Sequence, residues 1–141
     1  MTFTTYKPGD KFPGKIGRTF DESTEAWPMP PQAREGAPNV LFYVLDDIGF
    51  GQLEPLGGLV KAPSFKRILD RGLAYTNYHT TGLCSPTRTG IITGRNHHSN
   101  GMGAIIEWST GFPGYDGRIP ASHGFISDIL NDQGYNTFGL G

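Results

Sequence analysis

With one cysteine, Cys84, the sequence cannot close an internal disulfide, so its fold does not depend on an oxidising compartment. Charge of one dominant sign is also missing, because 12 lysines and arginines stand against 13 aspartates and glutamates. Such a balance gives no broad basic face for nucleic acid or for an anionic membrane. Long apolar runs are absent too. The longest, Val40–Leu45, falls far short of the roughly 20 residues that a membrane-spanning helix needs. No apolar stretch of the kind that a secretory signal carries follows Met1, so a cytoplasmic location is expected.

Glycine and proline, by contrast, are plentiful at 21 and 11 residues, which predicts much loop beside the regular elements. A length of 141 residues suits one domain or part of a larger one. Residues 1–37 are polar, show no sustained period and hold five of the eleven prolines, Pro8, Pro13, Pro28, Pro30 and Pro31, with Pro38 just beyond. They read as an extended N-terminal arm anchored by Phe20 and Trp27, with a disordered leader as the alternative.

Regular structure is expected from Asn39 onward. Val40–Leu45 is an uninterrupted apolar run that suits a strand buried on both faces, as in a parallel sheet covered by helices. It ends in Asp46-Asp47, and the carboxyl ends of such strands are where open α/β sheets bind ligands. Ser64 is placed to cap a helix with Phe65, Ile68 and Leu69 on one face and Gly72 as its stop. A second strand is expected over 73–79. A glycine-rich connection follows from Asn96 to Pro120, with His97, His98, Glu107, Trp108 and Asp116. Loops of this length in compact domains commonly serve a function or cover a site. Ser122 could cap another helix with Ile126, Ile129 and Leu130 as its apolar stripe and Gly134 as its end, before a third strand over 135–140. The alternation implies a layered α/β architecture, and three strands are few for one, which suggests part of a larger domain.

Two groups of residues hold chemistry. Adjacent carboxylates such as Asp46 and Asp47 repel unless a cation or hydrogen-bond donors hold them, and hard divalent ions take oxygen ligands of this kind. A solvated turn or a helix cap is the plainer alternative. The second group is the stretch Cys84 to Arg95, which reads CSPTRTGIITGR. Pro86 favours a helix start, Ile91 and Ile92 suit its apolar side, and Gly94 fits its close. Side chains on a helix lean toward its N-terminus, so Arg88 is expected to fold back over Cys84. Free backbone N–H groups, the helix dipole and a guanidinium together make an environment for an anionic oxygen or sulfur. The plainer alternative is a buried, inert thiol. Three residues between Cys84 and Arg88 are too few for a phosphatase-type anion loop. A Cys-His protease would need a partner that spacing does not assign to His79, His97, His98 or His123.

The pattern Cys84-x-Pro86-x-Arg88, continued by Thr89-Gly90-Ile91-Ile92-Thr93-Gly94-Arg95, resembles the signature of the type I sulfatases of the alkaline-phosphatase-like superfamily. Pro38-Asn39-Val40, the run Leu45 to Gly51, Tyr75 to Thr80, and Gly94 to His98 with Gly101-Met102-Gly103 agree in order and spacing. The likeness covers residues 37–141, and Asp21-Glu22-Ser23 with Trp27-Pro28 is similar to one bacterial subgroup. The resemblance implies a three-layer α/β fold with a largely parallel central sheet, of which 38–141 would be the N-terminal part. It implies hydrolysis of sulfate esters, aryl sulfates foremost. Cys84 would be converted to Cα-formylglycine by a maturation enzyme that reads the Cys-x-Pro-x-Arg pentapeptide. One hydroxyl of the hydrated aldehyde attacks sulfur, and the other then loses its proton so that the aldehyde re-forms and sulfate leaves. Asp46 and Asp47, with the modified Cys84, would hold one divalent cation, usually calcium, and Arg88 would hold the diol's oxygen. The family's Lys-x-His pair, a later histidine, an Asp-Asn metal pair and another lysine have no counterpart in these 141 residues. This stretch alone is therefore expected to be inactive, with an open sheet edge. Hydrolysis of phosphonates or phosphodiesters, or a non-catalytic metal- or anion-binding module with an unmodified Cys84, are the alternatives.

Overall fold

A computed structural model describes residues 3–4, 6 and 9–141. Met1 and Pro8 of the leader lie outside the described residues. Two compact units are present, one made of Met1–Pro38 with Ser127–Gly141, the other of Asn39–Ile126.

In the first unit the leader is better organised than an unpaired arm. Strands β1 (Phe3–Thr4) and β2 (Trp27–Pro28) pair in parallel, with Phe3 opposite Trp27. Lys15 and Thr24 exchange both backbone bonds, at 3.0 and 2.8 Å, and close the intervening loop. That loop is further tied by Ser23, whose hydroxyl accepts from Gly17 N–H and donates to the Thr19 carbonyl. Phe20 does not anchor it, since its ring is 91% exposed. Helix α3 spans Ile126–Asp132. It starts three residues later than a Ser122 cap would place it, and Gly134 follows with a left-handed φ of 83°.

The second unit contains helices α1 (Pro63–Leu69) and α2 (Cys84–Thr93). The cap expected from Ser64 is not used. Pro63 takes the first helical position, which moves the N-cap to Ala62, and the Ser64 hydroxyl accepts from Arg67 instead. Lys66 and Asp70 form an i,i+4 ion pair at 2.8 Å on the solvent side. Helix α2 begins at Cys84 and stops where expected, at Gly94, whose φ of 66° and bond to the Gly90 carbonyl make a left-handed cap.

The strands expected at 40–45, 73–79 and 135–140 are not formed. All three segments lack a ladder among the described residues. Val40–Val44 are exposed rather than buried on two faces, Leu41 to 85%. The reason is physical: a strand has no hydrogen bonds of its own and exists only beside a partner, whereas a helix bonds within its own segment.

What core the second unit has lies under α2. Pro86 and Asn100 are fully buried, and Thr89 and Met102 nearly so. The Asn100 side chain ties three segments together. Its Nδ2 donates to Thr93 Oγ1 at 3.1 Å and to the Asn96 carbonyl at 3.0 Å, and its Oδ1 accepts from His123 Nδ1 at 2.8 Å. Gly101 follows at φ 71°, where an added Cβ would meet the Asp116 carboxylate and the Arg118 carbonyl, the latter at 2.7 Å. At Gly94 the same atom would meet open space. Gly94→Ala is therefore expected to cost about 1 kcal/mol, the left-handed penalty alone. Gly101→Ala should cost clearly more, because backbone must also move. Thermal or denaturant midpoints of the two variants in the full-length protein check this order.

Candidate active site

An open cleft of about 570 Å³ runs between the segment after Tyr43 and the first two turns of α2. Asp46, Asp47, Cys84 and Arg88, the residues singled out in the sequence, all line it. Arg88 Nη2 lies 3.3 Å from Asp46 Oδ1. The guanidinium thus reaches across the cleft to the acidic pair. Both side chains are more than half exposed, 55% and 67%, so solvent screens the pair and its contribution is at most about 1 kcal/mol. A pair this weak can exchange partners.

Local chemistry positions each group. Cys84 opens α2, and Leu83 before it is extended (φ −136°, ψ 151°). The turn into the helix is braced by Thr81 and Thr87, whose hydroxyl oxygens are 2.6 Å apart, while Thr81 Oγ1 donates to the Leu83 carbonyl at 2.8 Å. Ser85 Oγ accepts the Ile106 N–H at 3.3 Å, tying the next residue to the long loop. Cys84 itself is half-buried. Asp47 has φ 52°, the one non-glycine residue with positive φ among those described. Left-handed backbone is uncommon outside glycine, though Asp and Asn tolerate it, and such positions cluster at functional sites. Here it swings the two neighbouring carboxylates around a tight corner, which Gln52 supports by accepting from the Gly49 N–H.

Do these residues suit a divalent cation? Asp46 and Asp47 supply hard carboxylate oxygens, the ligand type that calcium and magnesium take, and Asp46 already attracts a cationic group in Arg88. In kind they fit. In number they give part of a ligand set, since among the described residues no three His, Cys, Asp or Glu side chains converge on a common point.

The histidines lie away from this cleft. His97 Nδ1 donates to the Met102 carbonyl at 2.8 Å, and His98 Nε2 is 3.2 Å from the Tyr115 hydroxyl, both bonds within the long loop. His79 pairs with Asn77, and His123 serves Asn100. Trp108, Phe112 and Tyr115 do not line the Cys84 cleft either. Sequence reasoning missed the Thr81–Thr87 brace, the Ser85 tie and the Asn100 hub. Only Asn100 left a trace, as a polar residue directly before the Gly101-Met102-Gly103 turn.

Comparison with known proteins defines the class. The sulfatase family model matches residues 38–141, and the chain belongs to that family. Membership carries an alkaline-phosphatase-like fold, of which the described residues of the matched stretch show the three α-helices, while the two-stranded sheet lies outside it. The chain is 34% identical over 114 residues to an uncharacterized sulfatase of Schizosaccharomyces pombe, covering 75% of this chain and 20% of that protein. It is 28% identical over 111 residues to an arylsulfatase of Klebsiella aerogenes, covering 77% and 24%. Against human steryl-sulfatase it is 31% identical over 110 residues, covering 74% and 18%. The chain thus spans about a quarter or less of these relatives' length. No solved structure gives a significant match. Among the described residues no helix is long and apolar enough to cross a membrane.

Proposed function

We propose that the chain forms part of a hydrolase of sulfate esters, aryl sulfates foremost, built on a three-layer α/β fold with a largely parallel central sheet. In this reading residues 38–141 belong to the catalytic domain and residues 1–37 precede it. Cys84, converted to Cα-formylglycine by a maturation enzyme, carries the oxygen that attacks sulfur. Arg88 offers a planar fork of N–H donors, suited to holding an oxygen on residue 84 and a carboxylate at once. Asp46 and Asp47 hold a divalent cation, calcium in this reading, which when bound supplies positive charge opposite the oxygens of the ester. The Thr81–Thr87 brace keeps the first turn of α2, and with it residue 84, aimed into the cleft.

One observation carries the reading: Cys84 and Arg88 share a cleft with the distant Asp46-Asp47 pair, and Arg88 is bonded to it. The chemistry that these groups make together is anionic-oxygen binding beside a nucleophile position. The full-length protein, co-expressed with a maturation enzyme, is expected to release sulfate and alcohol from an aryl sulfate. Peptide mapping should trap an aldehyde at residue 84. A thiol that persists after co-expression, with no sulfate released, would instead mark a metal- or anion-binding module. Faster turnover of an aryl phosphodiester would move the substrate class.

A further inference from the structure

We propose that the 3₁₀ turn Ile106–Trp108 receives the alcohol portion of the ester and selects a neutral, apolar one, with Glu107 and Trp108 as specificity-determining residues. The inference rests on the reading of residue 84 as the nucleophile position. Ser85, the next residue, accepts the Ile106 N–H on its hydroxyl oxygen at 3.3 Å. Chain geometry then puts the Ile106 Cα within about 11 Å of the Cys84 Cα. Polar bonds hold the turn in place. Trp108 N–H donates to the Ile105 carbonyl at 2.9 Å, and the Ser109 hydroxyl donates to the Ile106 carbonyl at 2.6 Å. On either side of the turn, Gly103 N–H donates to the Gly114 carbonyl and Thr110 N–H to the Tyr115 carbonyl, both at 2.7 Å. None of this order comes from burying apolar groups, since Ile106 is 50% exposed and Trp108 70%. A large aromatic side chain on a fixed backbone, left uncovered, offers a platform for a flat apolar group. Glu107 stands between the two, exposed and without an ion pair among the described residues. Its carboxylate disfavours an alcohol that carries negative charge of its own. The charged groups suited to the sulfate end, Arg88 and the Asp46-Asp47 corner, line the cleft, and the turn lies outside it. The two ends of the ester thus meet different surfaces. The class favoured is a neutral aryl or other apolar alcohol over one bearing further sulfates or carboxylates.

The test is kinetic and uses the full-length protein, matured by co-expression, at low ionic strength so that a surface charge is felt. Two aryl sulfates of equal leaving-group acidity are compared, one neutral and one bearing a carboxylate remote from the ester. The wild type is expected to prefer the neutral ester in kcat/KM. Trp108→Ala should raise KM for the neutral ester about 3–10-fold, the scale of one aromatic pair, with kcat little changed. Inhibition by inorganic sulfate, which has no alcohol portion, should stay within about twofold of the wild type. Glu107→Gln should cut the preference for the neutral ester about two- to fivefold, as expected of one exposed charge. A wild type that shows no preference, or favours the carboxylate-bearing ester, overturns the proposal whether or not either variant folds. Unchanged KM and unchanged preference in both variants overturn it as well. So does a Trp108→Ala variant that loses sulfate inhibition as steeply as it gains KM, because the turn is then structural, covered by the rest of the chain or by a second copy. No turnover of either ester by protein with the aldehyde at residue 84 overturns the proposal together with the reading beneath it.

Discussion

Cys84→Ala is expected to lower sulfate release by the full-length protein at least about 10⁴-fold, the scale seen when a nucleophile is removed from an enzyme whose other groups remain. The loss should fall on kcat, because residue 84 contributes little to holding the ester: Cys84 is half-buried at the cleft wall, and the charged groups that face it, Arg88, Asp46 and Asp47, stay in place. Stability should hardly change. Cysteine and alanine are both small, and the helix start is set by Pro86 and by the Thr87 N–H bond to the Leu83 carbonyl at 3.2 Å. Cys84→Ser separates the nucleophile from its special chemistry. A serine hydroxyl can attack once, yet it has no second hydroxyl to expel sulfate, so it would remain as a sulfate ester. Made in a host without a maturation enzyme, this variant should release at most one equivalent of alcohol per protein and then stop. Sustained turnover by either variant, with no aldehyde trapped at residue 84, would sink the assignment of Cys84 as nucleophile precursor.

How far the sequence reveals the molecule depends on whether a feature is local. Helix α2 is legible because its signals lie inside it: Pro86 in the first turn, the apolar pair Ile91-Ile92, and Gly94 taking a left-handed φ of 66° at its end. Helix α1 is legible as a segment, but its first residue is not, since Pro63 and Ser64 compete for the start and the proline wins. Val40–Leu45 reads as a buried strand on composition, yet it forms no ladder and Val40–Val44 are exposed, because burial and pairing are properties of neighbours. In the leader the prolines suggest an extended arm, and the pairing of β1 with β2 and of Lys15 with Thr24 across it is again a matter of neighbours.

The site shows the same division. Each of Asp46, Asp47, Cys84 and Arg88 stands out by residue type or by its resemblance to a family signature. That Arg88 bonds Asp46 depends on how two distant segments meet, which no spacing rule supplies. The hub at Asn100 is hidden for a similar reason: its partners Thr93, Asn96 and His123 come from both sides of the long loop. The motif points to the sulfatase family that residues 38–141 match, whereas the bracing by Thr81, Thr87 and Ser85 follows only from the structure.

Neutralising one carboxylate of the acidic pair is expected to raise the calcium requirement of the full-length enzyme by at least about 10²-fold, since calcium affinity follows the number of charged ligands at a site. At about 4 Å, and at the effective dielectric of a protein surface, a single unit-charge interaction is worth about 4 kcal/mol. Losing it from a doubly charged ion leaves ample margin for that shift even after solvent offsets much of the gain. Asp47→Asn is the cleaner of the two substitutions. Asparagine tolerates the left-handed backbone that residue 47 adopts at φ 52°, so the charge is removed without the strain that alanine would add. Asp46→Asn also frees Arg88 from its ion pair, so its effect mixes loss of a ligand with release of the guanidinium. Asp47→Asn should therefore respond to added calcium by recovering part of its rate, and Asp46→Asn should recover less. In the wild type, a chelator should abolish turnover and calcium should restore it. A rate that survives chelation, or an Asp47→Asn variant with an unchanged calcium requirement, would remove the cation from the Asp46-Asp47 corner and leave Arg88 as the one positive group facing the substrate from these segments.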